Sequence, residues 1–297
     1  MKEKVCIIGA GKIGQTIGEI FKKQGYEIEF WDKDISKIPD QKPLAETLCS
    51  VDFLFLCIPS WAMRKVMSDA VSYLNKKAIV ISLAKGIEQS TNKTIDEVLK
   101  EFLPRNRLAI LGGPMLAKEL KDGLGGVGVV GINDKKIGKK ILQIFDETNI
   151  RIECLSDMHG VALTGVLKNI YAIGLGIADG LSYSGNNKGW LVTLALKEMA
   201  EILQLLGGKK ETAYSTAGLG DLIATGYSPY SRNREVGVEL VKTGTCCLES
   251  EGSRSLSGIA TRLGVKKTRF PLFVALENIL IKNQDVKTTF QGLYKKI

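Results

Sequence analysis

The turn Gly9-Ala10-Gly11-Lys12-Ile13-Gly14 constrains the fold more than any other part of the chain. It follows a strand-sized apolar run, Val5–Ile8, and leads into a helix-spaced segment, Ile13–Gln24. The first glycine of such a turn permits a tight bend, the second lets an anion approach the backbone, and the third lets helix and strand pack closely. A helix that starts there offers free amides and the positive end of its dipole to a pyrophosphate. Strand, turn and helix in this order describe a dinucleotide site, with Gly9, Gly11, Lys12, Ile13 and Gly14 as candidate contacts. Gly123, Gly125 and Gly128 fit the same spacing but precede a strand, so they read as a turn without a ligand.

The first half of the chain continues the alternation. Strands are expected at Tyr26–Trp31, Asp52–Ile58, Ala78–Leu83, Leu108–Gly112, Gly126–Ile132 and Arg151–Leu155. Helices are expected around Trp61–Tyr73, Thr91–Phe102 and Lys135–Asp146, with a short one from Pro114. Such alternation predicts a parallel sheet covered on both faces. After about residue 156 only helical spacing remains, in Val161–Leu181, Gly189–Leu206, Arg232–Lys242, Ser255–Leu263 and Pro271–Lys282. The expected fold class is α/β: a Rossmann-type domain over 1–156, followed by an all-helical substrate domain over 157–297.

The bulk numbers exclude several functions. No uninterrupted apolar run approaches the roughly 20 residues of a membrane helix, and no export leader precedes the first strand. The net charge of +9 comes from scattered lysine pairs rather than a basic block, which argues against a nucleic-acid partner. One histidine, His159, leaves no histidine-rich metal site and reads as a helix-start residue. Cys6, Cys57 and Cys154 lie in apolar strand-like runs, and the adjacent Cys246-Cys247 make no ligand pattern. A reducing cytoplasm is the expected compartment.

Charged groups mark the chemistry. Asp32 closes the second strand, where an acidic side chain can accept hydrogen bonds from ribose hydroxyls and repel a 2′-phosphate, so NAD is expected over NADP. Lys33 and Lys37 nearby pull the other way. Lys85 and Gly112-Gly113-Pro114 follow strands at the carboxyl end of the sheet, where ligands collect. Lys168-Asn169 lies among apolar neighbours, and desolvation lowers a lysine pKa toward the range of a general acid or base. Gly218-Leu219-Gly220-Asp221 and Ser231-Arg232-Asn233 set a carboxylate and a guanidinium about three helical turns apart. Lys85, Lys168 and Arg232 are expected to line one cationic pocket.

Taken in order, these motifs resemble the NAD(P)-dependent sn-glycerol-3-phosphate dehydrogenases, which reduce dihydroxyacetone phosphate. The likeness runs through GAGKIG, Ala-Lys85-Gly-Ile-Glu, Gly-Gly113-Pro-x-x-Ala117-x-Glu119, Leu-Lys168-Asn-Ile, Gly185-Asn-Asn-Lys188, Ala-Gly-Leu-Gly-Asp221-Leu, Ser231-Arg232-Asn233 and Glu251-Gly252. It implies that Lys168 is the acid/base, that Asp221 supports it or a substrate hydroxyl, and that Lys85 orients the substrate. It also implies that Gly113, Asn169, Ser231, Arg232 and Asn233 contact a small phosphorylated substrate, and that Ala117, Lys85, Arg232 and Glu251 border the cofactor. A homodimer and a role in glycerophospholipid supply follow from the same likeness. The chain departs from the pattern at Ile13, Met115 and Ala162, and its span from Lys33 to Ser50 is short. Two other functions compete: reduction of a 2-oxo acid such as ketopantoate, and regulation by an NAD-binding protein without catalysis.

Overall fold

The computed structural model describes residues 3–245 and 248–296, so the Cys246-Cys247 pair lies outside the described residues. Its chain packs into two compact units, one of Met1–Ala84 with Lys93–Ala162 and one of Lys85–Asn92 with Leu163–Ile297. The first unit holds a seven-stranded sheet: β1 (Lys4–Ile8), β2 (Glu27–Trp31), β3 (Phe53–Leu56), β4 (Ile79–Ser82), β5 (Leu108–Gly112), β6 (Gly126–Gly131) and β7 (Ile150–Leu155). The spatial order is β2-β1-β3-β4-β5-β6-β7. β3 and β4, sequences FLFL and IVIS, are buried at every position, as strands with helices on both faces must be.

Helix α1 (Lys12–Lys23) buries Gly14, Ile17, Gly18 and Phe21, the spacing of one helical face, and its Lys22 and Lys23 stand at the negative end of the dipole. Phe21 meets Phe55 and Phe145 at ring-centroid distances of 5.3 and 5.0 Å in the core of this unit. Beside it come α2 (Leu44–Leu48), α3 (Met63–Ala70), α4 (Ile95–Leu99), α5 (Ala117–Lys121) and α6 (Lys135–Phe145).

Four details differ from the sequence expectation. β6 runs antiparallel to β5. The connecting α5 has five residues, a rise of about 7.5 Å, too short to return the chain to the opposite edge for a parallel crossover. α5 starts at Ala117 with Leu116 as its cap, so Pro114 stands before the helix and not in its first turn. The helix expected over Thr91–Phe102 is confined to Ile95–Leu99, because Thr94 and Glu97 form a capping box that fixes its start. Cys154 is exposed because β7 is an edge strand, whereas burial pushes the thiols of Cys6 and Cys57 far up, as expected for small hydrophobes.

The second unit is helical: α7 (Met158–Gly180) feeds it from the first, followed by α8 (Gly185–Leu205), α9 (Asp221–Tyr227), α10 (Arg232–Thr243), α11 (Glu251–Leu263), α12 (Pro271–Leu280) and α13 (Val286–Lys296). α7 has the length and composition to cross a bilayer, yet its apolar window is entirely buried, which marks it as a core helix. Leu163, Leu167, Ile170 and Tyr171 of α7 pack with Phe270, Phe273 and Phe290, and Ile87 joins the same core. The packing of Ile87 explains why Lys85–Asn92 belongs with the helices although the sequence places it among the strands. His159 sits in the first turn of α7, its Nδ1 3.0 Å from the buried carboxylate of Asp96.

Candidate active site

In the glycine-rich turn the Gly9 amide donates to the Trp31 carbonyl at 2.9 Å, and φ is +104°. A side chain there would strain the backbone, and its Cβ would lie 2.5 Å from the Cys57 carbonyl oxygen. Gly14 is equally confined, by the Gly9 oxygen. Gly11 faces open space instead, and no side chain caps α1 behind it. The turn therefore combines an open backbone face with the unpaired first amides of a helix, which suits a pyrophosphate. Lys12 is exposed at its rim, and Ile13 is partly buried.

Asp32 is buried and already engaged. Its Oδ2 accepts from the Ala10 amide at 2.7 Å, its Oδ1 accepts from the Asp34 amide at 2.9 Å, and Lys37 Nζ lies 3.2 Å from Oδ2. The structure thus gives this carboxylate a stapling role between β2 and the glycine-rich turn. Gly113 follows β5 with φ +89°, and Ala117 is the first residue of α5.

The second unit concentrates the charged chemistry around Asp221. This aspartate follows a π-helical turn, Thr216–Gly220, a wide turn that recurs at functional sites. Gly218 is needed in it, since a Cβ there would lie 2.1 Å from the Ala213 oxygen. Asp221 Oδ2 accepts from Lys85 Nζ at 2.6 Å, and Oδ1 lies 3.1 Å from Lys168 Nζ. Lys168 also donates to the Thr225 hydroxyl at 2.6 Å, and that hydroxyl donates to Asp221 Oδ1 at 3.2 Å. Burial pushes Lys168 down to about 8, with Lys85 acting in the same direction and Asp221 opposing both. Burial pulls the Asp221 carboxyl upward, but the two lysines more than offset it and hold it ionised.

Asparagines tie this cluster to two neighbouring helices. Asn169 Nδ2 donates to the Lys85 carbonyl at 2.9 Å, Asn233 Nδ2 donates to Asn169 Oδ1 at 2.8 Å, and the Gly252 amide donates to Asn233 Oδ1 at 3.0 Å. Ser231 caps α10, accepting from the Arg234 amide, so the Arg232 and Asn233 amides stand at the helix start. Asp179 holds that turn to α7 through Arg234 Nε at 2.6 Å and also pairs with Lys188 at 2.5 Å. Arg232 follows the capping residue Ser231 directly. At the first position of α10 its side chain turns to solvent and pairs with Glu235 at 2.8 Å. Glu251 opens α11 beside Gly252.

Comparison with known proteins decides the family. Residues 157–291 match the C-terminal part of the NAD-dependent glycerol-3-phosphate dehydrogenases, and residues 35–138 match the N-terminal part. Glycerol-3-phosphate dehydrogenase [NAD(P)+] of Clostridium tetani is 31% identical over 95% of this chain and 89% of its own length. The enzyme of the same name from Syntrophotalea carbinolica is 32% identical over 98% of this chain and 97% of its own. The chain belongs to the NAD(P)-dependent glycerol-3-phosphate dehydrogenase family. A crystal structure of glycerol-3-phosphate dehydrogenase from Coxiella burnetii superposes with a TM-score of 0.89, at 25% identity and 99% coverage of both chains.

Within this family assignment, Thr225 is the residue that sequence reasoning missed. Its position one helical turn after Asp221 put it on the same face of α9, and that spacing was the available signal. Among the described residues no cluster of His, Cys, Asp and Glu suits a metal ion.

Proposed function

We propose that this chain reduces dihydroxyacetone phosphate to sn-glycerol 3-phosphate with NAD(P)H, and that Lys168 is its acid/base. The observation that carries the reading is the buried Lys168 ammonium, held between Asp221 and Thr225 with its pKa lowered to about 8. The open glycine-rich turn of the first unit would hold the dinucleotide, whose nicotinamide supplies a hydride when bound.

The chain's own residues supply the remainder. As negative charge grows on the substrate C2 oxygen, Lys168 gives it a proton and is left as a neutral amine. Asp221 and Thr225 keep the amine oriented, and Asp221 balances its charge before the transfer. Lys85, fixed by Asp221 and through its carbonyl by Asn169, presents a second cation to the substrate oxygens. Ser231, Arg232 and Asn233 open α10, where backbone amides and a guanidinium suit a phosphate dianion. The side-chain amides of Asn169 and Asn233 brace each other, so their part is to set this geometry. Gly113, Ala117 and Glu251 remain assigned to the borders of the substrate and cofactor sites.

In this reading the first unit binds dinucleotide and the helical unit binds substrate. The protein works as a cytoplasmic homodimer and feeds glycerophospholipid synthesis. The deciding experiment follows NADH and NADPH oxidation with dihydroxyacetone phosphate against ketopantoate. Turnover with the phosphate ester alone is expected. Turnover with ketopantoate would move the chain to the 2-oxo acid reductases, and turnover with neither, despite nucleotide binding, would favour a regulator.

A further inference from the structure

At the end of the second strand of such a sheet, the side chain facing the adenosine ribose decides whether a 2′-hydroxyl or a 2′-phosphate is accepted. In this chain that place is held by a neutralised pair. Both oxygens of Asp32 are within 3.3 Å of Lys37 Nζ, while the Ala10 and Asp34 amides take further lone pairs of the same carboxylate. The Asp32 side chain is 11% exposed and that of Lys37 is 42% exposed. The acid lies beneath, and the ammonium forms the accessible surface.

The segment between them is built to hold this arrangement. Asp34 accepts from the Ser36 amide and hydroxyl, winding Ile35–Lys37 into a tight turn that brings Lys37 back over Asp32. Gln41 then closes the segment from the other side: its Oε1 accepts from the Asp32 amide and its Nε2 donates to the Asp32 carbonyl, both at 2.8 Å. Lys33, also exposed, adds a second positive charge nearby.

We infer that Lys37 is the residue that admits a 2′-phosphate, making it the determinant of NADPH acceptance in this protein. Asp32 staples the turn, and its charge is cancelled before a nucleotide arrives. A 2′-phosphate meets the Lys37 ammonium and draws it off the carboxylate, while a 2′-hydroxyl gains little from that cation. This inference rests on the dinucleotide reading of the glycine-rich turn.

Direct titration tests it without turnover. The Kd values of NADH and NADPH are measured by nucleotide fluorescence for the unaltered protein and for Lys37→Ala, Lys37→Arg and Lys33→Ala. Lys37→Ala is expected to weaken NADPH about fivefold and to leave NADH within about twofold, the change of about 1 kcal/mol that an exposed ion pair can supply. Lys37→Arg is expected to retain NADPH binding, and added salt should weaken NADPH more than NADH. Equal weakening of both nucleotides by Lys37→Ala, or an unchanged ratio, would overturn the role of Lys37. A larger effect from Lys33→Ala than from Lys37→Ala would also overturn it. Failure of the unaltered protein to bind either nucleotide would instead overturn the dinucleotide reading itself.

Discussion

The Lys168 ammonium donates to the Thr225 hydroxyl at 2.6 Å, and that hydroxyl turns its own proton to Asp221. A buried ammonium therefore has two defined acceptors for its three hydrogens. The arrangement holds a desolvated lysine, its pKa lowered to about 8, between two oxygen acceptors.

The first prediction concerns pH. With Lys168 at about 8, reduction needs its protonated form and should decline as pH rises through about 8. The reverse oxidation needs the neutral amine and should rise over the same interval. Lys168→Ala should abolish turnover while leaving NADH binding intact. Near-normal turnover of that variant would remove Lys168 from the role of acid.

Thr225 can be tested without changing charge. Thr225→Val keeps the shape and removes the acceptor, and a hydrogen bond to a charged group is worth about 1.5–3 kcal/mol. The reductive kcat should fall about tenfold to a hundredfold. The alkaline limb should also move to lower pH, because the lost bond favoured the charged lysine. An unchanged pH profile would reduce Thr225 to a packing residue.

Substrate grip should separate from chemistry at α10. Arg232→Ala is expected to raise the KM for the phosphorylated substrate by more than tenfold with kcat reduced far less. Asp179→Asn, which loosens Arg234 of the same turn, should move KM in the same direction by a smaller factor. If kcat fell with KM unaltered in Arg232→Ala, the phosphate would have to bind elsewhere.

Glu198 gives a stability prediction independent of catalysis. It accepts from the amides of Leu272 and Phe273 at the start of α12 and from the Tyr171 hydroxyl, and burial raises its pKa to about 7. The folded chain thus holds this proton to higher pH than the unfolded chain does. The associated stability is full below pH about 4.5 and is lost as pH rises to about 7, a change of about 3 kcal/mol. Glu198→Gln should flatten the dependence of unfolding free energy on pH in that window. A slope equal to that of the unaltered protein would assign the titration to another group.

Much of this was legible because local chemistry and fold coincide. The strand, turn and helix around Gly9, Gly11 and Gly14 could be read since they are adjacent in sequence, and Lys168 stood out as a lone cation in an apolar helix. The site around Asp221 is non-local: Lys85 and Asp221 meet across 136 positions. Spacing could not reveal that Lys85 leaves the strands to pack with the helices, because Ile87 finds its burial there. The pairing of Arg232 with Glu235 was hidden as well, because an ion pair within the first turn of α10 follows only once the start of that helix is known. The fixing of Asp32 was hidden too, because the lone pairs of a carboxylate can be taken by backbone amides that leave no mark in the sequence.

The chain of amides from Gly252 through Asn233 and Asn169 to the Lys85 carbonyl can be read in only one direction. A backbone N–H fixes one end and a backbone C=O the other, so each asparagine must accept from one side and donate to the other. Asparagine is among the thermolabile residues. Hydrolysis of either side-chain amide would replace its donor with a second acceptor and turn like against like in a buried row. Two nitrogen atoms thus hold the direction of the whole row, and neither asparagine can turn its amide over without breaking two bonds.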